Sequence, residues 1–232
     1  MNIAFIGDSI TEGIPGVSYI DMLQSKLPDH HILNYGKGGD TVGSVYKRVQ
    51  KIQFPDGLDM IFLFVGVNDI FGTINKQHRL LKTLTRQLPA SNLVELTENY
   101  QLLIEYLKDK TRRLIVISPL LLGEDIDGEW NQQLASIVQE IERVVSMNPD
   151  CDYLDVRYDC ILALREKTIS SYVPFSLREV IQDVRKLKTP DQVDKQADLR
   201  GLHLTLDGVH LNSAGAFIVC DKVLEYILGH KE

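Results

Sequence analysis

Short apolar runs alternating with stretches of helical period predict an α/β protein, a three-layer α/β/α sandwich with a central parallel sheet. Two observations carry this reading. The runs are apolar at consecutive positions, so both faces of each strand are covered, and the intervening stretches are long enough for right-handed helical crossovers. Taken in order, Ile3–Ile6 is the first strand and His31–Tyr35 the second. Val42, Val45, Val49 and Ile52 then recur with the period of a helix, and Met60–Val65 follows as the third strand. Leu93, Leu96, Tyr100, Leu103 and Leu107 mark a second helix, leading to a fourth strand at Leu114–Ile117. Trp130, Leu134, Ile137, Ile141 and Val144 mark a third helix before a fifth strand at Tyr153–Val156. Ser176-Leu177-Arg178-Glu179 has the pattern of a capping box before Val180, Ile181 and Val184, which predicts a helix there. Lys188 to Arg200 is polar, contains Pro190 and has little periodicity, which predicts a loop. A last helix is expected to begin near Ser213.

A chain of 232 residues can bury roughly 70% of its unfolded surface. With no internal repeat, linker or low-complexity tract, residues 1–232 read as a single domain. Two stretches exceed the basic alternation, near 71–89 and 157–201, and are expected to shape a pocket; the second could serve as a lid. In the first, Leu80, Leu81, Leu84 and Leu88 have the spacing of a buried helix face. The longest apolar run, Met60 to Val67, falls far short of the roughly 18 residues of a membrane-spanning helix. A net charge of −7 argues against capture of nucleic acid or anionic lipid and favours small or neutral substrates. The opening Met1-Asn2-Ile3-Ala4-Phe5-Ile6 has no basic segment and no cleavage site, so export is not expected. Cys151, Cys160 and Cys220 are odd in number, widely spaced and without Cys-x-x-Cys, which fits neither a disulfide framework nor a zinc site. Together these features predict a cytoplasmic protein.

In an open parallel sheet, ligands bind outside the carboxyl ends of the strands, so the loops starting at Gly7, Gly36, Gly66 and Ser118 should share one rim. The first carries Gly7-Asp8-Ser9, which exposes a hydroxyl there. A serine needs a base within hydrogen-bond reach and a third group to orient that base. Asp207-Gly208-Val209-His210 offers both: an imidazole as base and, three residues before it, a carboxylate that selects its tautomer, with Gly208 easing the turn. His203 has no aspartate at that spacing. Attack on an ester also requires donors aimed at the developing oxyanion. The backbone amides of Ser9 and Gly39 and the carboxamide of Asn68, in Gly66-Val67-Asn68-Asp69, are the candidates. Asp8, Asp40, Thr41 and Asp69 adjoin these positions and read as residues that hold the loops. The glycines between Asn34 and Thr41 match neither the dinucleotide fingerprint nor the P-loop spacing.

The serine in Gly7-Asp8-Ser9, Gly39, the asparagine in Gly66-Val67-Asn68-Asp69 and the histidine in Asp207-Gly208-Val209-His210 stand in the order of the four blocks of the SGNH hydrolases, or GDSL-type esterases and lipases, and the chain resembles that family from its first strand to its last helix. Ile10 stands where the namesake motif has leucine. The resemblance implies a flavodoxin-like sandwich and a serine hydrolase acting on small-molecule carboxylic esters through an acyl-enzyme, of the esterase, lipase or carbohydrate O-deacetylase type. Ser9 would be the nucleophile, His210 the base and Asp207 its partner, with Ser9, Gly39 and Asn68 forming the oxyanion hole and no metal or organic cofactor. The same triad would serve an acyltransferase or thioesterase. Two other readings explain less: a two-metal phosphoesterase with Asp8, Asp40, Asn68, Asp69, Asp207 and His210 as ligands leaves Ser9 without a task. A non-catalytic module that binds an acylated ligand has no need of a base beside a hydroxyl.

Overall fold

The computed structural model describes residues 1–74, 87, 89–170, 172 and 177–230. Five strands, β1 (Asn2–Gly7), β2 (His31–Gly36), β3 (Leu58–Phe64), β4 (Thr111–Ile117) and β5 (Cys151–Leu154), form one parallel sheet in the order β2-β1-β3-β4-β5. The helices are α1 (Ser9–Glu12), α2 (Tyr19–Lys26), α3 (Val42–Val49), α4 (Val67–Ile74), α5 (Leu93–Lys108), α6 (Glu129–Ser146), α7 (Val156–Leu164), α8 (Leu177–Lys186), α9 (Pro190–Leu199) and α10 (Ser213–Gly229). On one face α5 packs against both α3 and α6; on the other α10 packs against both α2 and α7. The expected sandwich is therefore present. The chain moves from β1 outward to β2 and returns to β3 on the other side of β1, so the order reverses between β1 and β3. That reversal opens a crevice at the strands' carboxyl ends.

The core explains why these strands form. Ile3, Phe5, Ile6, Ile61, Phe62, Leu63, Ile115, Val116 and Ile117 are fully buried on both sides of the central strands. Phe5 and Phe62, side by side in the β1–β3 register, stack with centroids 4.9 Å apart, and the Tyr19 ring meets Phe5 edge-on at 5.9 Å. β2 is different: as an edge strand it keeps every residue partly exposed. Among the described residues no helix is long and apolar enough to cross a membrane.

Four expectations need correction or limits. The fifth strand begins and ends two residues before the expected Tyr153–Val156, because the Asp155 carboxylate accepts the Tyr158 amide at 3.1 Å and caps α7. The expected loop at Lys188 to Arg200 contains α9. Pro190 occupies the first turn, where a missing N–H costs nothing, Thr189 caps it, and Val193 and Ala197, four apart, are buried. α8 starts at Leu177 as the capping pattern suggested, while Ser176 lies outside the described residues. So do Leu80, Leu81, Leu84, Leu88 and most of the 71–89 stretch, of which α4 supplies the start.

Candidate active site

β1 ends at the rim beside the crevice, and Asp8 turns the chain into α1 by accepting the Ile10 amide at 3.0 Å. This places Ser9 as the first residue of a helix, with its side chain towards the final loop. Leu204 to Asn212 forms that loop. It is closed by a Thr205–Leu211 antiparallel bridge and by the Leu206 amide donating to the His210 carbonyl at 2.7 Å. Within it the Asp207 Oδ1 accepts the amides of Val209 (3.1 Å) and His210 (2.9 Å). Its Oδ2 lies 2.8 Å from His210 Nδ1, and His210 Nε2 lies 2.9 Å from Ser9 Oγ. An ionised carboxylate can only accept, so the ring proton sits on Nδ1 and Nε2 faces the hydroxyl with its lone pair. Asn212 then caps α10 by accepting the Gly215 amide at 3.0 Å.

Burial and charge oppose one another in this pair. Burial alone pulls the His210 imidazole down, but the adjacent Asp207 carboxylate, with Asp8 and Asp183 further off, leaves it above the ordinary histidine value. Burial likewise pushes Asp207 up, and the neighbouring imidazole with two backbone amides brings it below the usual carboxylate range.

The other loops close on Ser9 from two sides. A Cβ placed on Gly38 would lie 3.9 Å from the Ser9 Cβ, so the glycine loop after β2 runs beside the hydroxyl. Gly39 adopts φ +78°, a conformation that favours glycine, and a side chain there would meet the Gln87 Oε1 at 2.8 Å. The loop is anchored on both flanks: Gly38 donates to Glu12 Oε2 at 2.7 Å, and Gln87 Nε2 donates to the Gly38 carbonyl (2.8 Å) and to Asp40 Oδ1 (3.1 Å). After β3, the buried Asn68 carboxamide donates to Asp8 Oδ2 at 3.2 Å, next to Ser9.

The neighbouring polar residues hold the loops. Asp40 pairs with Arg48 at 2.7 Å, Arg48 also donating to the Gly7 and Tyr35 carbonyls; Thr41 caps α3; Asp69 Oδ2 accepts the Val42 amide at 3.0 Å. Among the described residues no group of three or more His, Cys, Asp or Glu side chains is placed to hold a metal ion. His203 is turned away, its Nε2 3.1 Å from the Thr168 carbonyl.

Sequence reasoning passed over several residues that support the site. Glu124 grips the start of the histidine loop, with carboxylate oxygens 2.7–2.8 Å from the His203, Leu204 and Thr205 amides. Arg200 binds Asp183 through both terminal nitrogens (2.8 and 3.2 Å), donates to the Leu206 carbonyl at 2.9 Å and lies 5.0 Å from the Tyr172 ring. It ties the end of the 157–201 stretch to the peptide before Asp207. Glu124 does not announce itself locally, since its partners lie 79 to 81 residues off, and Arg200 joins Asp183, 17 residues before it, to Leu206, 6 residues after it, a spacing that matches no local motif.

A sequence model of the GDSL-like lipase/acylhydrolase family matches residues 5–216. Among solved structures, the chain is 17% identical to Axe2, an acetylxylan esterase from Geobacillus stearothermophilus, with a TM-score of 0.69, covering 100% of this chain and 94% of that one. It is 21% identical to the acetyl xylan esterase AlAXEase, with a TM-score of 0.66, covering 98% and 100%. It is 18% identical to LAE5, an alpha/beta hydrolase enzyme from the metagenome of Lake Arreo, Spain, with a TM-score of 0.67, covering 100% and 96%. A search of curated proteins finds no match. These structural likenesses concern the fold, whereas the family match spans both the Gly7-Asp8-Ser9 and Asp207–His210 segments: the chain belongs to the GDSL-like lipase/acylhydrolase family, the SGNH serine esterases.

Proposed function

We propose that the chain hydrolyses short-chain carboxylic esters, with acetyl groups on carbohydrate as the favoured substrate class, through an acyl-enzyme on Ser9. The observation that carries this reading is the continuous run from Ser9 Oγ through His210 to Asp207, at 2.9 and 2.8 Å. In the first step Ser9 Oγ attacks the carbonyl carbon while His210 Nε2 takes its proton. The tetrahedral oxyanion is met by the Ser9 and Gly39 amides and the Asn68 carboxamide. His210 then returns the proton to the leaving alcohol oxygen. In the second step His210 takes a proton from water, which attacks the acyl carbonyl, and returns it to Ser9. Asp207 stays ionised and stabilises the imidazolium. The acetylxylan esterases of the same fold support acetyl as the acyl group and a carbohydrate as the alcohol. The three free, buried cysteines accord with a reducing, cytoplasmic setting, and residues 1–232 are read as one catalytic domain.

The test is kcat/KM for nitrophenyl esters from acetate to dodecanoate, with Ser9→Ala beside the wild type, followed by acetylated xylo-oligosaccharides. The expected result is activity that falls steeply after acetate and vanishes in Ser9→Ala. Rates that rise with chain length would replace the deacetylase reading by a lipase or thioesterase one, and activity that survives Ser9→Ala would remove the serine mechanism.

A further inference from the structure

We propose that Glu124 is a positioning residue for the proposed acid–base pair, acting through Thr205 and Gly208 on the geometry of Asp207 and His210. Glu124 lies on the loop after β4 and is buried. Its Oε1 accepts the Leu204 amide (2.8 Å), the Thr205 amide (2.8 Å) and the Thr205 hydroxyl (2.7 Å), and its Oε2 accepts the His203 amide at 2.7 Å. Four donors converge on one carboxylate, and among the described residues no Lys or Arg forms an ion pair with it. A buried charge is tolerated when hydrogen bonds satisfy it in this manner.

The relay follows from the chemistry of a hydroxyl. Thr205 has one hydroxyl proton, which goes to Glu124, so its oxygen is left as an acceptor and takes the Gly208 amide at 3.1 Å. On the other side of the same residue, the Gly208 carbonyl accepts the Gly123 amide at 2.7 Å. Both peptide groups of Gly208 are therefore gripped, between Asp207 and the Val209 and His210 amides that orient its carboxylate. The gripping segment is itself fixed. Asn131 bonds both Leu122 backbone groups and the Gly123 and Asp125 carbonyls, and the buried Arg157 guanidinium donates to the Leu120 carbonyl.

Closure of the loop does not depend on this relay. The Thr205–Leu211 bridge, the Leu206–His210 bond, the Val17 amide on the Leu211 carbonyl and Arg200 on the Leu206 carbonyl already shape it. What Glu124 adds is the orientation of the peptides that flank the Asp207–His210 pair. The inference rests on the acyl-enzyme reading above.

Thr205→Val keeps the β-branched shape and removes the relay, Thr205→Ser restores it, and Glu124→Gln puts a donor against the His203 amide. The measurements are kcat, KM and the acid midpoint of the pH profile with nitrophenyl acetate. In Ser9→Ala backgrounds, the downfield proton resonance of the His210 Nδ1–H is recorded by NMR. The groups facing His210 are Asp207 on its own loop, Asp8 at the β1–α1 turn and Asp183 on α8, and all three are kept. Thr205→Val and Glu124→Gln should lower kcat by about 10- to 100-fold with KM within about twofold, since small misplacements of catalytic groups act on kcat. The midpoint should move down and the downfield resonance broaden, while Thr205→Ser should recover wild-type behaviour. Wild-type kcat, midpoint and resonance in Thr205→Val would overturn the inference, as would a loss of thermal stability with kcat and midpoint unchanged. Should Glu124→Gln not fold, Thr205→Val and Thr205→Ser decide the matter. Failure of the acyl-enzyme reading shows itself differently, as wild-type activity that survives Ser9→Ala.

Discussion

Ser9 stands where β1 turns into α1, and residues beside it in the chain hold it: Asp8 bonds the Ile10 amide, and the Gly13 amide bonds the Ser9 carbonyl at 2.8 Å. His210 lies 201 residues further on, in a loop that no strand carries, and its supports come from afar. Glu124 is 79 to 81 residues away from the backbone it binds, Gly123 bonds Gly208, and Val17 bonds Leu211. A strand-to-helix turn inherits its geometry from the sheet. A loop off the sheet must take its rigidity from other elements, and it is more exposed to changes far from the reacting atoms.

That contrast can be broken or sharpened by substitution. The largest effects are expected at the two ends of the hydrogen-bonded run: Ser9→Ala and His210→Ala should each cost between about 10⁴- and 10⁶-fold in kcat. Thermal melting should show both variants folded, because each change removes few packing atoms. Asp207→Ala should cost less, about 10³- to 10⁴-fold, because the surrounding loop keeps part of the imidazole's orientation. A loss as large as that of His210→Ala would mean that Asp207 does more than orient.

The sign of the pH effect follows from the same pair. His210 must be neutral to act as base, and its pKa stands above the ordinary value, so kcat/KM should fall as pH drops through a midpoint above about 6.5. Asp207→Asn removes the attraction that raises it, so burial prevails and the midpoint should move down. A wild-type profile flat between about pH 5 and 8 would remove His210 as the base.

On the serine side, Asn68→Ala should cost about 3 kcal/mol of transition-state stabilisation, roughly 100-fold in kcat, with little change in KM. An equal rise in KM would place Asn68 in ground-state binding. The smallest effect is predicted at Thr189→Ala, which uncaps α9 and should lower stability by about 1 kcal/mol while leaving kcat unchanged. Denaturant titration beside initial rates checks both parts.

Legibility follows the same divide. β1, β3 and β4 were readable because the part of a strand buried on both faces must be apolar, as Leu114–Ile117 is in β4, and α3, α5 and α6 because one buried face leaves a regular stripe. β5 was displaced because the apolar run continues through Val156 into the next helix, and α9 was missed because Pro190 reads as a breaker unless Thr189 is recognised as a cap. Ser9, Gly39, Asn68, Asp207 and His210 could be named as candidates because the first three follow strand ends within a few residues and the last two lie three residues apart. Glu124 and Gln87 could not, since a charged or amide side chain whose partners are dozens of residues away carries no local pattern, and Arg200, whose partners lie 17 and 6 residues away, matches no local motif either.

The account turns on whether Ser9 is a nucleophile activated by His210, and covalent labelling with a fluorophosphonate probe, located by peptide mass spectrometry, tests this most directly. The prediction is a single adduct on Ser9 in the wild type and loss of labelling in folded His210→Ala. An adduct elsewhere, or labelling of Ser9 that is undiminished without His210, would contradict it.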